Sequence, residues 1–339
     1  MLALGKLLEL TLAGREPCEK IQLTPQGVKL RWLAEGALLV SPPASQDQGL
    51  DLLLSAGVHG NELIPIHVLD HLIRAIARGE VQPHARLLLV FANPAAMRRT
   101  ARQVDLDLNR LFLGAHGDVW GCEALRAAEL EALVAGFFEP GGRQRRHYDL
   151  HSAMRPSRLK QFAICPWRER EQATPEALAR LHAAAVDGVL LQRQPTSTFS
   201  ALSATRHDAE AFTVELAEEP GGALVRLQQA LVAMIEGREL PALAAAPLHV
   251  LRVAREIVKR TPQFRLCLPA DIENFAPLPL GSVLAEEGDG TRWIVEEPQA
   301  RILFPMAEAA LGQRAGLIVV PLVGPASVAL KASGIQDAP

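Results

Sequence analysis

Between residues 50 and 240, short apolar runs alternate with stretches whose apolar residues recur every three or four positions. That alternation predicts an α/β fold with helices on the faces of a sheet. Strands are expected at LDLLLSAG (50–57), ARLLLVFAN (85–93), YDLHSA (148–153), QFAICP (161–166), GVLLQ (188–192) and AFTVELA (211–217). Helices are expected over 62–77, 122–138, 175–186 and 222–236, with Thr174 as N-cap and Pro175 as first residue of the third.

Ahead of this block, IQLTPQGVKLRWL and GALLVSPP read as β segments with a Pro-Gln-Gly turn. After it, RELPALAAAPLH (238–249) has the small residues and prolines of a connector between domains. Beyond Leu248 the helical period disappears, and VLRVAREIV, FRLCLP, TRWIV and GLIVVPL suggest a β-rich second domain. The expected division is 1–243 for the α/β domain and 244–339 for the smaller β-rich one.

The 339 residues are 49% hydrophobic and 22% charged, which excludes a disordered or fibrous chain. A net charge of −3 gives no electrostatic reason to expect a nucleic acid or an anionic membrane as partner. Cys18, Cys122, Cys165 and Cys267 lie far apart without a C-x-x-C, which favours a reducing compartment, the cytoplasm by default. Lys6 and Glu9 interrupt the apolar N-terminal stretch, so no signal peptide is expected there. The longest nearly apolar run, 317–330, contains Pro321 and Pro325 and is too short to span a bilayer.

G-x-S-x-G, the P-loop pattern, G-x-G-x-x-G and H-E-x-x-H are all absent, which removes the main support for serine hydrolases, nucleotide binders and zincins. What remains is LLLSAGVHGNELIP, with His59 in the turn after the first strong strand and Glu62 where the next helix starts. Ligands of open α/β sheets bind at such turns. Gly57 and Gly60 give the backbone freedom for an imidazole and a carboxylate to converge on one metal ion. Alone, the pair is equally a surface histidine beside a carboxylate that favours a helix dipole. His151 in YDLHSA, on the same side of its strand as Asp149, would complete a two-His, one-Glu zinc set with an open fourth position. His67 and His71, four apart on a helix, are a rival pair without a general-base carboxylate, and the other histidines show no clear partners.

The stretch 93–112 carries Arg98, Arg99, Arg102 and Arg110 against Asp105 and Asp107, a loop able to bind carboxylates or simply a solvated one. In AFTVELAEE, Glu215 stands near the end of a buried strand, where desolvation raises a carboxyl pKa toward values useful for proton transfer, although a sheet-edge placement would account for it as well. Glu218 and Glu219 are expected to be exposed turn residues.

The order H-G-N-E (59–62), N-P-x-A-M-R (93–98), D-x-D-x-N-R-x-F (105–112), D-L-H (149–151) and V-E-L (214–216) resembles the succinylglutamate desuccinylase and aspartoacylase family, a branch of the zinc carboxypeptidase fold. DLHSAMRPSRLKQFAICPW, PTSTFSALSA and WIVEEPQARILFPMAEAALGQRAGL look most like its desuccinylase branch. The resemblance implies a zinc carboxypeptidase-like mixed sheet flanked by helices, with a smaller β-rich C-terminal domain. It implies one zinc ion per chain on His59, Glu62 and His151, and Asp107 orienting a zinc-bound imidazole, expected to be that of His59. Asn109 and Arg110 would hold a carboxylate of a small anionic N-acyl amino acid. Arg102 would lie beside the scissile carbonyl, Glu215 would be general base and then acid, and Arg206 stands where the family often has a second carboxylate-binding residue. The implied reaction is hydrolysis of N-succinyl-L-glutamate in arginine catabolism. The alternatives are a related N-acyl amino acid deacylase, a carboxypeptidase, a zinc-dependent binding protein without turnover, and a fold in which the three residues are unrelated.

Overall fold

A computed structural model describes residues 3–322 except 140, 154, 170–172, 218–220, 244 and 245. Glu218 and Glu219, the residues at the expected 243/244 boundary on its C-terminal side, and the end of the 317–330 run lie outside the described residues.

The strands are β1 (Ile21–Leu23), β2 (Lys29–Ala34), β3 (Ala37–Ser41), β4 (Leu50–Ala56), β5 (Arg86–Phe91), β6 (Gln144–Ser152), β7 (Phe162–Cys165), β8 (Gly188–Leu191), β9 (Glu210–Leu216), β10 (His249–Val258), β11 (Arg265–Leu266), β12 (Val283–Glu286), β13 (Arg292–Ile294), β14 (Arg301–Leu303) and β15 (Arg314–Pro321). The α-helices are α1 (Leu7–Leu12), α2 (Leu63–Arg78), α3 (Pro94–Arg98), α4 (Cys122–Phe137), α5 (Pro175–Ala183), α6 (Phe199–His207) and α7 (Gly222–Ile235). Thr174 caps α5 with its side chain on the Ala177 N–H, as its place before Pro175 predicts.

Twelve strands form one mixed sheet in the order β1-β2-β3-β5-β4-β6-β9-β7-β8-β10-β15-β14. At its centre β5, β4, β6 and β9 run parallel. All seven residues of β4 are buried, because a parallel strand covered on both faces needs apolar side chains pointing both ways. Leu52 and Leu54 pack with α2, α5 and α7 on one face, and Leu53 with α4 and α6 on the other. The mixed α/β class expected from the sequence is the class observed.

The C-terminal strands are not a separate layer. β10 runs parallel to β8, and β15 and β14 follow it, so three of them continue the main sheet while β11, β12 and β13 make a small sheet of their own. One apolar cluster joins Phe162 and Leu190 to Leu251, Val253, Leu317 and Val319 across this junction. Among the described residues no helix is long and apolar enough to cross a membrane, and no disulfide joins the cysteines.

Candidate metal centre

Three parallel strands deliver the centre from their carboxyl ends. The chain leaves β4 through Gly57, whose φ of +71° few other residues adopt, and passes Gly60, where a Cβ would lie 2.2 Å from the carbonyl carbon of Ala96. Absence of both side chains lets this turn lie flat against α3. Glu62 occupies the N-cap position of α2, yet its carboxylate caps nothing on that helix and points instead into the centre.

Within it, His59 Nδ1 is 2.7 Å from Glu62 Oε1, and His151 Nδ1 is 3.1 Å from Glu62 Oε2. Ligand atoms of all three residues fall within 4.8 Å of one another, and all three are buried. The outward nitrogens are also engaged: His59 Nε2 lies 3.1 Å from Asp107 Oδ1, and His151 Nε2 lies 3.0 Å from Asp149 Oδ2. A metal ion would displace the protons shared between the near nitrogens and Glu62, while the carboxylates on the far nitrogens hold both rings in place. Two such imidazoles and one carboxylate, converging in a buried site, fit a divalent ion such as zinc.

Charge separation reinforces the grouping. Burial would raise Glu62, but His151 and His59 outweigh it and hold the carboxyl well below the usual range. Burial likewise acts to raise Asp107, and the hydrogen bond from His59, with Arg110 and Arg102 nearby, wins in the other direction. For His151 burial opposes the charged form, while Asp149 and Glu62 drive its pKa well above that of a free imidazole.

Glu215 stands beside this cluster because β9 pairs with β6 in a register that sets Glu215 opposite His151. Burial pushes its carboxyl up to about 7, with His151 opposing and Glu62 adding to the rise. Among the described residues its carboxylate makes no hydrogen bond or ion pair, leaving both oxygens available. Arg102 is 43% exposed at the side chain and donates from Nη2 to Asp107 Oδ2 at 3.3 Å. Asn109 is buried, with Oδ1 accepting the Phe199 N–H at 2.9 Å, so only its amide NH₂ remains for a ligand. Arg110 is exposed next to it, donating to the Asn109 carbonyl.

Arg206 does not join them. It lies in the last turn of α6, which begins beside Asn109 and ends at the start of β9, so the length of that strand separates it from Glu215. The rival histidines His67 and His71 are exposed on α2 and meet no third ligand among the described residues.

A further buried chain had no clear signal in the sequence. Ser55 donates to Asp149 Oδ1 at 2.6 Å, Ser55 Oγ lies 2.8 Å from His147 Nε2, and His147 Nδ1 lies 2.8 Å from Ser203 Oγ. With Ser55 donating to Asp149, its oxygen accepts from His147 Nε2–H, and His147 Nδ1 then accepts from the Ser203 hydroxyl. The alternation His147, Asp149, His151 along β6 is the only hint of it.

Comparison with known proteins agrees with this geometry. Residues 48–237 match the model of the succinylglutamate desuccinylase/aspartoacylase catalytic domain, and residues 246–322 match the AstE/AspA barrel-sandwich hybrid domain. The chain is 53% identical over 329 residues to a succinylglutamate desuccinylase of Pseudomonas fluorescens Pf-5, covering 95% of this chain and 98% of the relative. A succinylglutamate desuccinylase of Pseudomonas syringae pv. tomato is also 53% identical, over 328 residues, with the same coverage. Among solved structures, the Chromobacterium violaceum succinylglutamate desuccinylase superposes with a TM-score of 0.82 at 35% identity, covering 94% of this chain and 98% of that one. The Vibrio parahaemolyticus enzyme gives 0.85 at 30%, with 94% and 95% covered. Murine aminoacylase 3, at 21% identity and a TM-score of 0.57 over 81% of this chain and 96% of its own, shares the fold. Matched over most of its length by both domain models and by these relatives, the chain belongs to the succinylglutamate desuccinylase/aspartoacylase family.

Proposed function

We propose that the protein hydrolyses the amide of N-succinyl-L-glutamate to succinate and L-glutamate, with one zinc ion held by His59, Glu62 and His151. The observation that carries this reading is the buried convergence of those three side chains beside Glu215, whose carboxylate has no partner among the described residues, in a chain 53% identical to relatives named for that substrate. Zinc, when bound, would polarise the scissile carbonyl and acidify water.

The chain's own residues do the rest. Glu215 takes a proton from the attacking water as hydroxyl oxygen joins the succinyl carbonyl carbon, and gives it to the glutamate nitrogen as the C–N bond breaks. Arg102 donates hydrogen bonds to the carbonyl oxygen as negative charge develops there. Asp107 and Asp149 hold the imidazoles of His59 and His151 in their orientations. The Asn109 amide and the Arg110 guanidinium grip a substrate carboxylate. A substrate with three carboxylates needs such groups, since an apolar pocket would strip their hydration without replacing it. We assign this chemistry to residues 1–243 and a share in shaping the site entrance to 244–339, a division supported by two separate family-model matches. Chemistry on a small soluble anion by a chain without a disulfide among the described residues fits the cytoplasm.

Turnover of N-succinylglutamate, N-acetylaspartate and a dipeptide, measured side by side on the zinc-loaded protein, tests the substrate. Succinate release with little hydrolysis of the other two is expected; hydrolysis of acetylaspartate alone would contradict the reading.

A further inference from the structure

The segment carrying Arg102, Asp107, Asn109 and Arg110 rests on the buried carboxylate of Glu123. Glu123, in the first turn of α4, is fully buried, and among the described residues no Lys or Arg pairs with it. Its Oε1 accepts the Val104 N–H at 2.6 Å and the Asn93 side-chain amide at 3.4 Å. Its Oε2 accepts the N–H groups of Asp105 and Leu106 at 3.3 and 3.4 Å and the Cys122 thiol at 3.1 Å. A buried carboxylate survives without a counter-ion only where hydrogen-bond donors and a helix N-terminus replace its water. Burial acts to raise its pKa, and the Val104 N–H with the other donors brings it below the ordinary value.

Two loops meet at this group, and both frame His59. On one side, Val104, Asp105 and Leu106 lie between Arg102, whose carbonyl accepts the Gly60 N–H at 3.3 Å, and Asp107, which meets His59 Nε2. On the other, Asn93 donates its backbone N–H to the Gly57 carbonyl at 2.9 Å, where the His59 turn begins. Asp105, Cys122 and Glu123 also bring three potential ligand atoms together, but N–H and S–H donors already face both Glu123 oxygens, so the trio is a loop anchor and carries no second metal.

We propose that Glu123 is a positioning residue for the metal centre: its carboxylate fixes the 104–106 loop, and through it the distance of Asp107 from His59 and the reach of Arg102. The proposal rests on the zinc reading above.

The test is zinc affinity of the full chain, by competition with a chromogenic chelator. Glu123→Gln leaves one acceptor where there were two and turns an NH₂ toward backbone N–H groups. Its zinc Kd is expected to rise about 10-fold, at the lower end of what outer partners of metal ligands contribute. In an Asp107→Asn background the same substitution should change the Kd by less than about 2-fold, because both act along one line. A folded Glu123→Gln protein with wild-type Kd, or a full 10-fold loss repeated in the Asp107→Asn background, overturns the proposal. Should the variant not fold, amide exchange on the wild-type chain decides: the Val104, Asp105 and Leu106 amides are expected to be protected without metal, and exchange of all three at exposed-loop rates overturns it. A wild-type chain that binds no zinc sinks the functional reading as well; wild-type zinc binding with an indifferent variant sinks only the role of Glu123.

Discussion

In the proposed reaction Glu215 and Arg102 act on the chemical step while Asn109 and Arg110 hold the substrate, and kinetics should separate the two. Glu215→Gln keeps the shape of the side chain and removes the proposed proton acceptor. Its kcat should fall about 10²- to 10⁴-fold with zinc content unchanged, as read by steady-state assay and metal analysis. Arg102→Ala should lower kcat on the order of 10²- to 10³-fold by removing an oxyanion donor, whereas Arg110→Ala should chiefly raise KM. Equal effects of both arginine substitutions on KM alone would contradict the assignment. His59 and Glu62 are legible in the sequence because they share one turn, whereas Arg102, Asp107, Asn109 and Arg110 are singled out only by the family resemblance, their stretch alone reading as a basic loop. Asp149 is half legible, since strand alternation sets it on the side of His151 without naming the nitrogen it meets. Glu123 has no signal at all, because its main partners are backbone N–H groups 17 to 19 residues away.

Among the elements, β6 links the site to the interior of the sheet. His147 is wholly buried in this strand between Ser55 and Ser203, and burial lowers its pKa to about 4, against the attraction of Asp149. The folded state therefore resists protonation. The contribution of a neutral His147 is fully present above its unfolded pKa near 6.5 and is lost as pH falls toward 4, amounting to roughly 3 kcal/mol over that window. Unfolding free energy measured against pH should show this slope in the wild type and one proton less of slope in His147→Gln; identical slopes would contradict it. The strands and helices of the α/β block lie close to where apolar periodicity puts them, with β6 beginning earlier, at Gln144. Helix α6 escaped that reading because FSALSATRH mixes small and polar residues without a strong apolar stripe, and Thr198 as its N-cap is the signal that could have found it.

At the scale of the whole molecule, the catalytic strands and the C-terminal strands share one sheet and one apolar cluster. Periodicity shows that β10 and β15 are strands, but pairing of β10 with β8 depends on contacts about sixty residues apart in sequence, which no local pattern records. A fragment of residues 1–243 would leave Phe162 and Leu190 without Leu251, Val253, Leu317 and Val319. It should lose cooperative thermal unfolding, and a sharp calorimetric transition for that fragment would show that the division runs deeper than the shared sheet suggests. The near-zero net charge conceals a local charge arrangement in which Arg102 and Arg110 lie near Asp107, itself against the buried His59, Glu62 and His151 cluster.

The central claim is that His59, Glu62 and His151 hold one zinc ion on which cleavage of N-succinyl-L-glutamate depends. Titration of the metal-free chain with zinc, with released succinate as readout, tests it most directly. Succinate release should rise in proportion to added zinc, level off at one equivalent per chain, and vanish on chelation. Release that persists at full rate under chelation, or no release from the zinc-saturated chain, would contradict the account.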